Sequence, residues 1–408
     1  MITVTVKQVG AELRRLREAA GQTQADVARI VGVSRANLTQ WETGRYLPSV
    51  ENARLLDNHF RPTNSLVELV ESARSTTSAP AGVLTTGGSL LEVFRRAGAT
   101  LAGELIRDEN GRAVGWRHNL QKRGEHTTLA TAYGVSAMAV LGEPYIDLHT
   151  VVEGLYARRS EFGWQGRSAG RRPEVTAAVV DALFQVSTVL SAEEALTHLE
   201  HSLDNDYSRT RPFLLATVLR TAARIGPDAR LTRRLTDDLL AVRLDHDGVR
   251  LWGEKKEPRL VAPEPTTAHT ARAVVALREL LRAGEDRADV REAVEVGTQW
   301  LVDRTHPDDG MMEDLALPQP GQRAVPVNIK HFTSAWVVQA LAEAPKVPTV
   351  RLNRALGSLW ERYEAGLGLW AWGSGDLPIW MTLDAVTALR AAALAFAAPP
   401  FLPPTVAE

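Results

Sequence analysis

Residues 21–45 read GQTQADVARIVGVSRANLTQWETGR, a stretch that specifies two short helices joined by a tight turn. Thr23 is placed to cap a helix whose inner face is Val27, Ala28 and Val31. Ser34 is placed to cap a second helix that turns Leu38 and Trp41 inward. Gly32 falls between the two, where crossing helices need a residue that adopts positive φ at little cost. Arg35, Ala36, Asn37 and Gln40 then share the outer face of the second helix.

This ordered pattern resembles the helix-turn-helix of the Cro/repressor-type (XRE) DNA-binding family. The likeness covers residues 7–60, with Leu13, Leu16 and Leu55 as helix-packing positions. It implies double-stranded DNA as the partner, with the second helix in the major groove and its first residues at base edges. Ser34, Arg35, Ala36, Asn37 and Gln40 would form that contact surface. Arg35 would fork onto guanine, and Asn37 or Gln40 onto adenine. Gln24 occupies the family position that holds a phosphate, and Thr43 and Arg45 fall where backbone contacts are made. Residues 1–60 contain eight Lys/Arg and six Asp/Glu, a net charge of +2. Phosphate neutralisation supplies much of DNA affinity, so a homodimer reading two half-sites is expected.

The remaining composition narrows the classes further. The chain has 408 residues and a net charge of −2, with 39 basic and 43 acidic groups beyond residue 60. No global field draws it to nucleic acid, so the N-terminal module must do that locally. The absence of cysteine excludes disulfides and thiolate-held metals. No signal peptide is read, because the N-terminus runs straight into a charged helix. No run of about 18 apolar residues occurs, and the apolar stretch 391–398 is too short to span a membrane. A cytoplasmic location with no membrane partner is expected.

A fifth helix is predicted over 64–74, closing a DNA-binding domain at 1–74. A Ser/Thr/Gly/Pro-rich linker is predicted over 75–89, followed by a third segment, 90–408. No strand is read in that segment. Helical patterns recur in pairs instead. First helices fall near 90–107, 147–162, 192–204, 231–244, 290–304 and 350–365. Second helices fall near 127–141, 174–190, 211–225, 268–283, 332–343 and 381–397. The first set is charged and amphipathic and the second apolar on most sides, which suggests an outer and an inner layer. Six such hairpins close into an (α/α)6 toroid, with an open solenoid as the competing architecture. The fold class is therefore all-α. The glycine–aromatic turns Asp309-Gly310-Met311 and Leu367-Gly368-Leu369-Trp370 are similar to those of terpenoid-cyclase and protein-prenyltransferase toroids, over about residues 90–397.

In a closed toroid the inner-helix N-termini converge on one mouth, where their dipoles favour an anionic or electron-rich ligand. Candidate pocket residues there are His126, Trp164, Arg211, Trp252, His269, His331, Trp370, Trp372, Trp380 and Asp384. The same tryptophans can instead plug the barrel. Catalytic signatures of this architecture are missing. There is no Asp-x-Asp-Asp acid string, no cysteine for zinc, no phosphate loop and no nucleophile elbow. Glu313, Asp314, Asp376 and Asp384 are not paired by spacing, and His269, His331 and Asp384 lack a diagnostic metal spacing. No catalytic residue, metal or cofactor is assigned. The expectation is a transcription regulator whose toroid binds an apolar, isoprenoid-like effector or a protein partner. The alternatives are a toroid enzyme with an appended DNA-binding domain, or an interaction scaffold in a defence or signalling system.

Overall fold

The Thr23 hydroxyl accepts from the Asp26 amide, and the Asp26 carboxylate accepts from the Thr23 amide, so the second helix opens on a reciprocal capping box. The structure is a computed structural model. It describes residues 6–31, 33, 35–44, 47–48, 50–62, 65–77, 90–142, 148–166, 171–187, 189–203, 207–254, 263–304, 309–319, 322–344, 347, 349–373 and 375–397. Contacts divide the chain into two units, residues 1–87 and 88–408.

The first unit contains α1 (Val6–Ala19), α2 (Gln24–Ile30), α3 (Arg35–Glu42), α4 (Val50–Phe60) and α5 (Leu66–Thr77). Its core joins Val9, Leu13 and Leu16 of α1 to Val27, Ala28, Val31, Leu38 and Trp41 of the helix-turn-helix. α1 crosses α3 closely, because a Cβ on Gly10 would lie 2.4 Å from the Trp41 carbonyl oxygen. The sequence expectation misplaces one core residue. Leu55 is 42% exposed, and Leu56, one step round the helix in phase with Ala53, carries the packing instead. The turn residue Gly32 and the cap Ser34 lie outside the described residues. α5 continues through Thr77, three residues into the segment expected as linker, and 78–89 lies outside the described residues.

The second unit is built from consecutive helix pairs. They are α6 (Leu90–Gly103) with α7 (Thr128–Leu141), α8 (His149–Ala157) with α9 (Pro173–Val186), and α10 (Ala192–Ser202) with α11 (Pro212–Ile225). They continue with α12 (Arg230–Ala241) and α13 (Thr267–Arg282), α14 (Ala288–Asp303) and α15 (Thr333–Ala342), and α16 (Thr349–Trp360) and α17 (Ile379–Ala397). The inner helices contact one another in the order α7, α9, α11, α13, α15, α17, and α17 returns to α7. That closure makes the unit an (α/α)6 toroid rather than an open solenoid. Inner helices are buried nearly all round, as in the run Ala268–Leu277 of α13, which is the property that pattern reading used to separate the layers. No helix among the described residues is long and apolar enough to cross a membrane.

The expectation of no strands is corrected. Short antiparallel pairs join the helices: β1 (Ile106–Arg107) with β2 (Ala113–Gly115), β4 (Leu244–His246) with β5 (Val249–Leu251), and β8 (Tyr363–Glu364) with β9 (Leu369–Trp370). β3 (Asn119–Leu120) pairs with β10 (Leu377–Pro378). A long hairpin, β6 (Met312–Gln319) with β7 (Gln322–Lys330), stands between α14 and α15. Its alternation is disguised in sequence because Glu313 and Gln319 are buried beside Leu315 and Leu317, while Pro318 and Pro326 argue against a strand. Leu315 and Leu317 pack on Phe213 and Leu214 of α11.

The loop tryptophans staple outer to inner helices. Trp116, Trp164 and Trp252 are fully buried, and their indole N–H groups donate to the carbonyls of Leu101, Leu155 and Leu239 at 2.7, 2.7 and 2.8 Å. An inner-helix threonine closes each unit. Thr131 accepts from the Trp116 amide, Thr176 accepts from the Trp164 amide, and Thr270 donates to the Trp252 carbonyl. Gly115 (φ 140°) and Gly163 (φ 88°) precede the first two tryptophans, where a Cβ would lie 2.1 and 2.6 Å from the Thr131 and Thr176 hydroxyls. Only glycine fits both the conformation and the approach.

Candidate functional site

On the first unit, Arg35 is exposed at the N-terminus of α3, whose Leu38 and Trp41 are buried. Gln40 is half-buried and Thr43 exposed. The Thr43 hydroxyl donates back to the Thr39 and Gln40 carbonyls. The side chains of Ala36 and Asn37, and all of Ser34 and Arg45, lie outside the described residues. Gln24 is drawn into an internal network. Its amide donates to Glu42 at 2.9 Å and accepts from Thr39 at 3.1 Å. Glu42 also accepts from Arg17 at 2.5 and 3.0 Å, with both side chains largely buried. Sequence reading missed this pair, which locks α1 to the recognition helix. Its signal is an acid at the end of α3 on the side of Leu38 and Trp41.

In the toroid, a cavity of about 590 Å³ opens at the N-terminal halves of the inner helices. Its volume lies in the range of small-molecule sites. Of the candidate pocket residues, Trp380 and Asp384 line it. The other candidates fall elsewhere. Trp164, Trp252 and Trp370 are fully buried and are not among the lining residues. Trp372 lies tilted against Trp380, with ring centroids 5.8 Å apart, and under the Lys330 ammonium. His126 meets the Arg158 guanidinium at 2.6 Å, and Arg211 stacks over Tyr207 at 4.2 Å. His269 and His331 join Glu313 in a buried cluster, apart from Asp384.

The groups that dominate the cavity are ones that sequence reading overlooked. Arg272 lies over the Trp336 ring at 4.0 Å and the Phe213 ring at 5.1 Å, and Arg220 over Trp336 at 5.1 Å. The Nε atoms of both arginines are buried without a hydrogen-bond partner. Burial pulls the Arg220 guanidinium down to about 10 and lowers Arg272 as well. Arg220 therefore stays charged at neutral pH. Asp384 faces them, accepting from the Trp336 indole at 2.9 Å and lying 4.0 Å from Arg272. Burial pushes its carboxyl up, against the pull of Arg272. Of the other acids on the wall, Glu125, Glu174 and Asp181, the last two are held by arginines. Glu174 meets Arg172 at 2.5 Å and Asp181 meets Arg224 at 2.9 Å. Asp384 is thus a reluctant carboxylate that acts on both buried guanidiniums, while Asp181 and Glu279 also act on Arg220. An arginine inside an otherwise apolar inner helix was the available signal.

Residues 8–69 match the family model of a helix-turn-helix domain, so the first unit is a helix-turn-helix domain of the DNA-binding kind. No curated protein matches the chain. Among solved structures, the chain is similar to the GH76A alpha-1,6-mannanase of Salegentibacter sp. HEL1_6. That match has a TM-score of 0.49 and 11% identity, covering 75% of this chain and 99% of that one. An inactive variant of that mannanase in complex with alpha-1,6-mannotriose gives a TM-score of 0.48 at 12% identity, with the same coverage. PlcR of Bacillus thuringiensis, in complex with the peptide PapR7 and DNA, gives a TM-score of 0.26 at 10% identity, covering 72% of this chain and 94% of that one.

Proposed function

We propose that the protein is a DNA-binding transcription regulator whose toroid takes a small organic anion as effector. The observation that carries the effector half is the pair of buried arginines, Arg220 and Arg272, with unpartnered Nε atoms beside Trp336 in a cavity of ligand size. A buried guanidinium is costly unless it is paired, and a carboxylate or phosphate supplies that pairing in a forked geometry. The ring faces of Trp336, Phe213 and Trp380 suit a planar or apolar body behind the anionic group. This reading replaces the wholly apolar effector expected from sequence. The DNA half rests on the helix-turn-helix domain with Arg35 exposed at the start of α3. Arg35, with Asn37 and Gln40, reads base edges, and Gln24, Ser34, Thr43 and Arg45 position the backbone. Two copies bind paired half-sites, and the effector acts through different affinities for two arrangements of that pair.

The test selects duplexes from a random pool with the full chain, depleted of small molecules or supplied with a cell extract. Wild type enriches one motif and the extract shifts its retention. Arg35→Ala loses the motif, and Arg272→Met keeps it but loses the shift. Failure to enrich any motif would overturn the DNA half, and an unchanged shift in Arg272→Met the effector half.

An enzymatic toroid is favoured by one feature, the buried Asp384 carboxyl, whose raised protonation suits a general acid. Conversion of a luminal ligand to a product of different mass by wild type, but not by Asp384→Asn, selects this second reading.

A further inference from the structure

We propose that His269, Glu313 and His331 form a binding site for one divalent transition-metal ion, zinc being the best match. The three residues come from separate elements that meet at the foot of the long hairpin. His269 sits in the first turn of α13, Glu313 is the second residue of β6, and His331 directly follows β7. All three side chains are fully removed from solvent. His269 Nε2 lies 3.1 Å and His331 Nε2 3.7 Å from the same carboxylate oxygen, Glu313 Oε2, and one donor atom from each residue falls within 4.8 Å of the others.

Those separations suit a metal. Bonds of about 2.0–2.1 Å in a tetrahedron put neighbouring donors about 3.3 Å apart. The separations of 3.1 and 3.7 Å bracket that edge and the remaining one is within 4.8 Å, so small side-chain movements would supply three of the four donors, leaving the fourth position to water. The cluster is also under-satisfied as it stands. Glu313 Oε1 and both ring nitrogens of His331 are buried without a hydrogen-bond partner. Buried polar atoms left in this state call for an explanation, and an ion would account for His331 Nε2 and, with a bidentate carboxylate, for Glu313 Oε1. His269 already has the outer support typical of a ligating imidazole. Its Nδ1 lies 2.7 Å from the Thr266 hydroxyl, a contact that fixes the ring and leaves Nε2 to face the carboxylate.

Two imidazoles and one carboxylate, with no thiolate, select zinc, cobalt(II), manganese or iron(II) over calcium and magnesium. The site would tie the β6–β7 hairpin to α13. Val327, Asn328, Ile329 and Lys330 of that hairpin line the cavity, so the ion would hold part of the cavity wall in place. The inference stands apart from the proposed function, since the site exists whether or not the cavity binds an effector.

The test uses the full chain, stripped with a chelator and reloaded with zinc or cobalt(II). Wild type should retain about one zinc per chain through desalting, raise its thermal transition, and give the visible absorption of low-coordinate cobalt(II). Glu313→Gln and His331→Ala should each weaken zinc binding about tenfold or more, whereas His149→Ala, on the exposed face of α8, should not. If a variant fails to fold, the imidazole ¹⁵N resonances of wild type decide. Two histidines that shift together and saturate at one equivalent of zinc support the site. Substoichiometric zinc in wild type, or unchanged histidine resonances, would overturn it, as would equal retention by folded Glu313→Gln.

Discussion

The helix-turn-helix unit leaves Arg35 exposed at the start of α3 and buries Arg17 against Glu42, whereas the toroid buries Arg220 and Arg272 beside an open cavity. In the first unit, burial comes with a partner, so the pair is structural and the ligand-facing charge stays hydrated. In the second, burial comes without a full partner. That is the condition under which a ligand gains most, because the cost of removing the cation from water has already been met in folding. The two units therefore use the same residue type in opposite ways. Under the proposed function, one would read a polyanion from outside and the other would take up an anion inside.

This contrast can be broken unit by unit. The largest expected effect is at the buried pair. Glu42→Ala leaves Arg17 and Gln24 without their shared acceptor and should cost about 3 kcal/mol. Calorimetry should show one transition lowered and the toroid transition unmoved. A single shifted transition would mean the two units do not unfold independently.

Within the toroid, Arg224 bridges Asp181 of α9 and Glu279 of α13, each at 2.9 Å. Arg224→Met should cost about 2 kcal/mol, because two partly buried carboxylates are left facing one another. Burial alone would raise Glu279, but Arg224 prevails and holds it below its ordinary 4.5. A carboxyl lowered in the folded state adds stability above pH 4.5 that disappears as pH falls through its folded value. Denaturation from pH 7 to 3 should therefore be less steep in Arg224→Met than in wild type. An equal slope would remove Arg224 as the cause.

The smallest effect sharpens the role of the staples. Trp164→Phe keeps an aromatic ring but loses part of the buried indole and its donor to the Leu155 carbonyl, and should cost at least about 1 kcal/mol while leaving cavity binding intact. Loss of ligand binding in this variant would return Trp164 to the cavity wall.

The two units were also unequally legible. The helix-turn-helix is a local code. Thr23, Val27, Ala28, Leu38 and Trp41 lie within one short stretch, so caps and periodicity place each of them. The toroid's layers were legible for the same reason, since apolarity on all sides marks an inner helix. The hairpin was not, because buried Glu313 and Gln319 and two prolines break the alternation that would announce strands. The staple tryptophans were visible, but their destination was not. A loop tryptophan has the same sequence signature whether it faces a cavity or an outer-helix carbonyl. Asp384 lies on the cavity wall, and its partners Trp336 and Arg272 come from positions 48 and 112 residues away. Convergence of that kind depends on ring closure, which periodicity within single helices does not encode.

The most direct test measures the affinity of wild type and Arg35→Ala for the selected duplex by fluorescence anisotropy at one fixed salt concentration. The account predicts that Arg35→Ala binds that duplex about ten- to a hundredfold more weakly while its affinity for unrelated duplex changes little. Equal affinity and equal selectivity in the two proteins would contradict it.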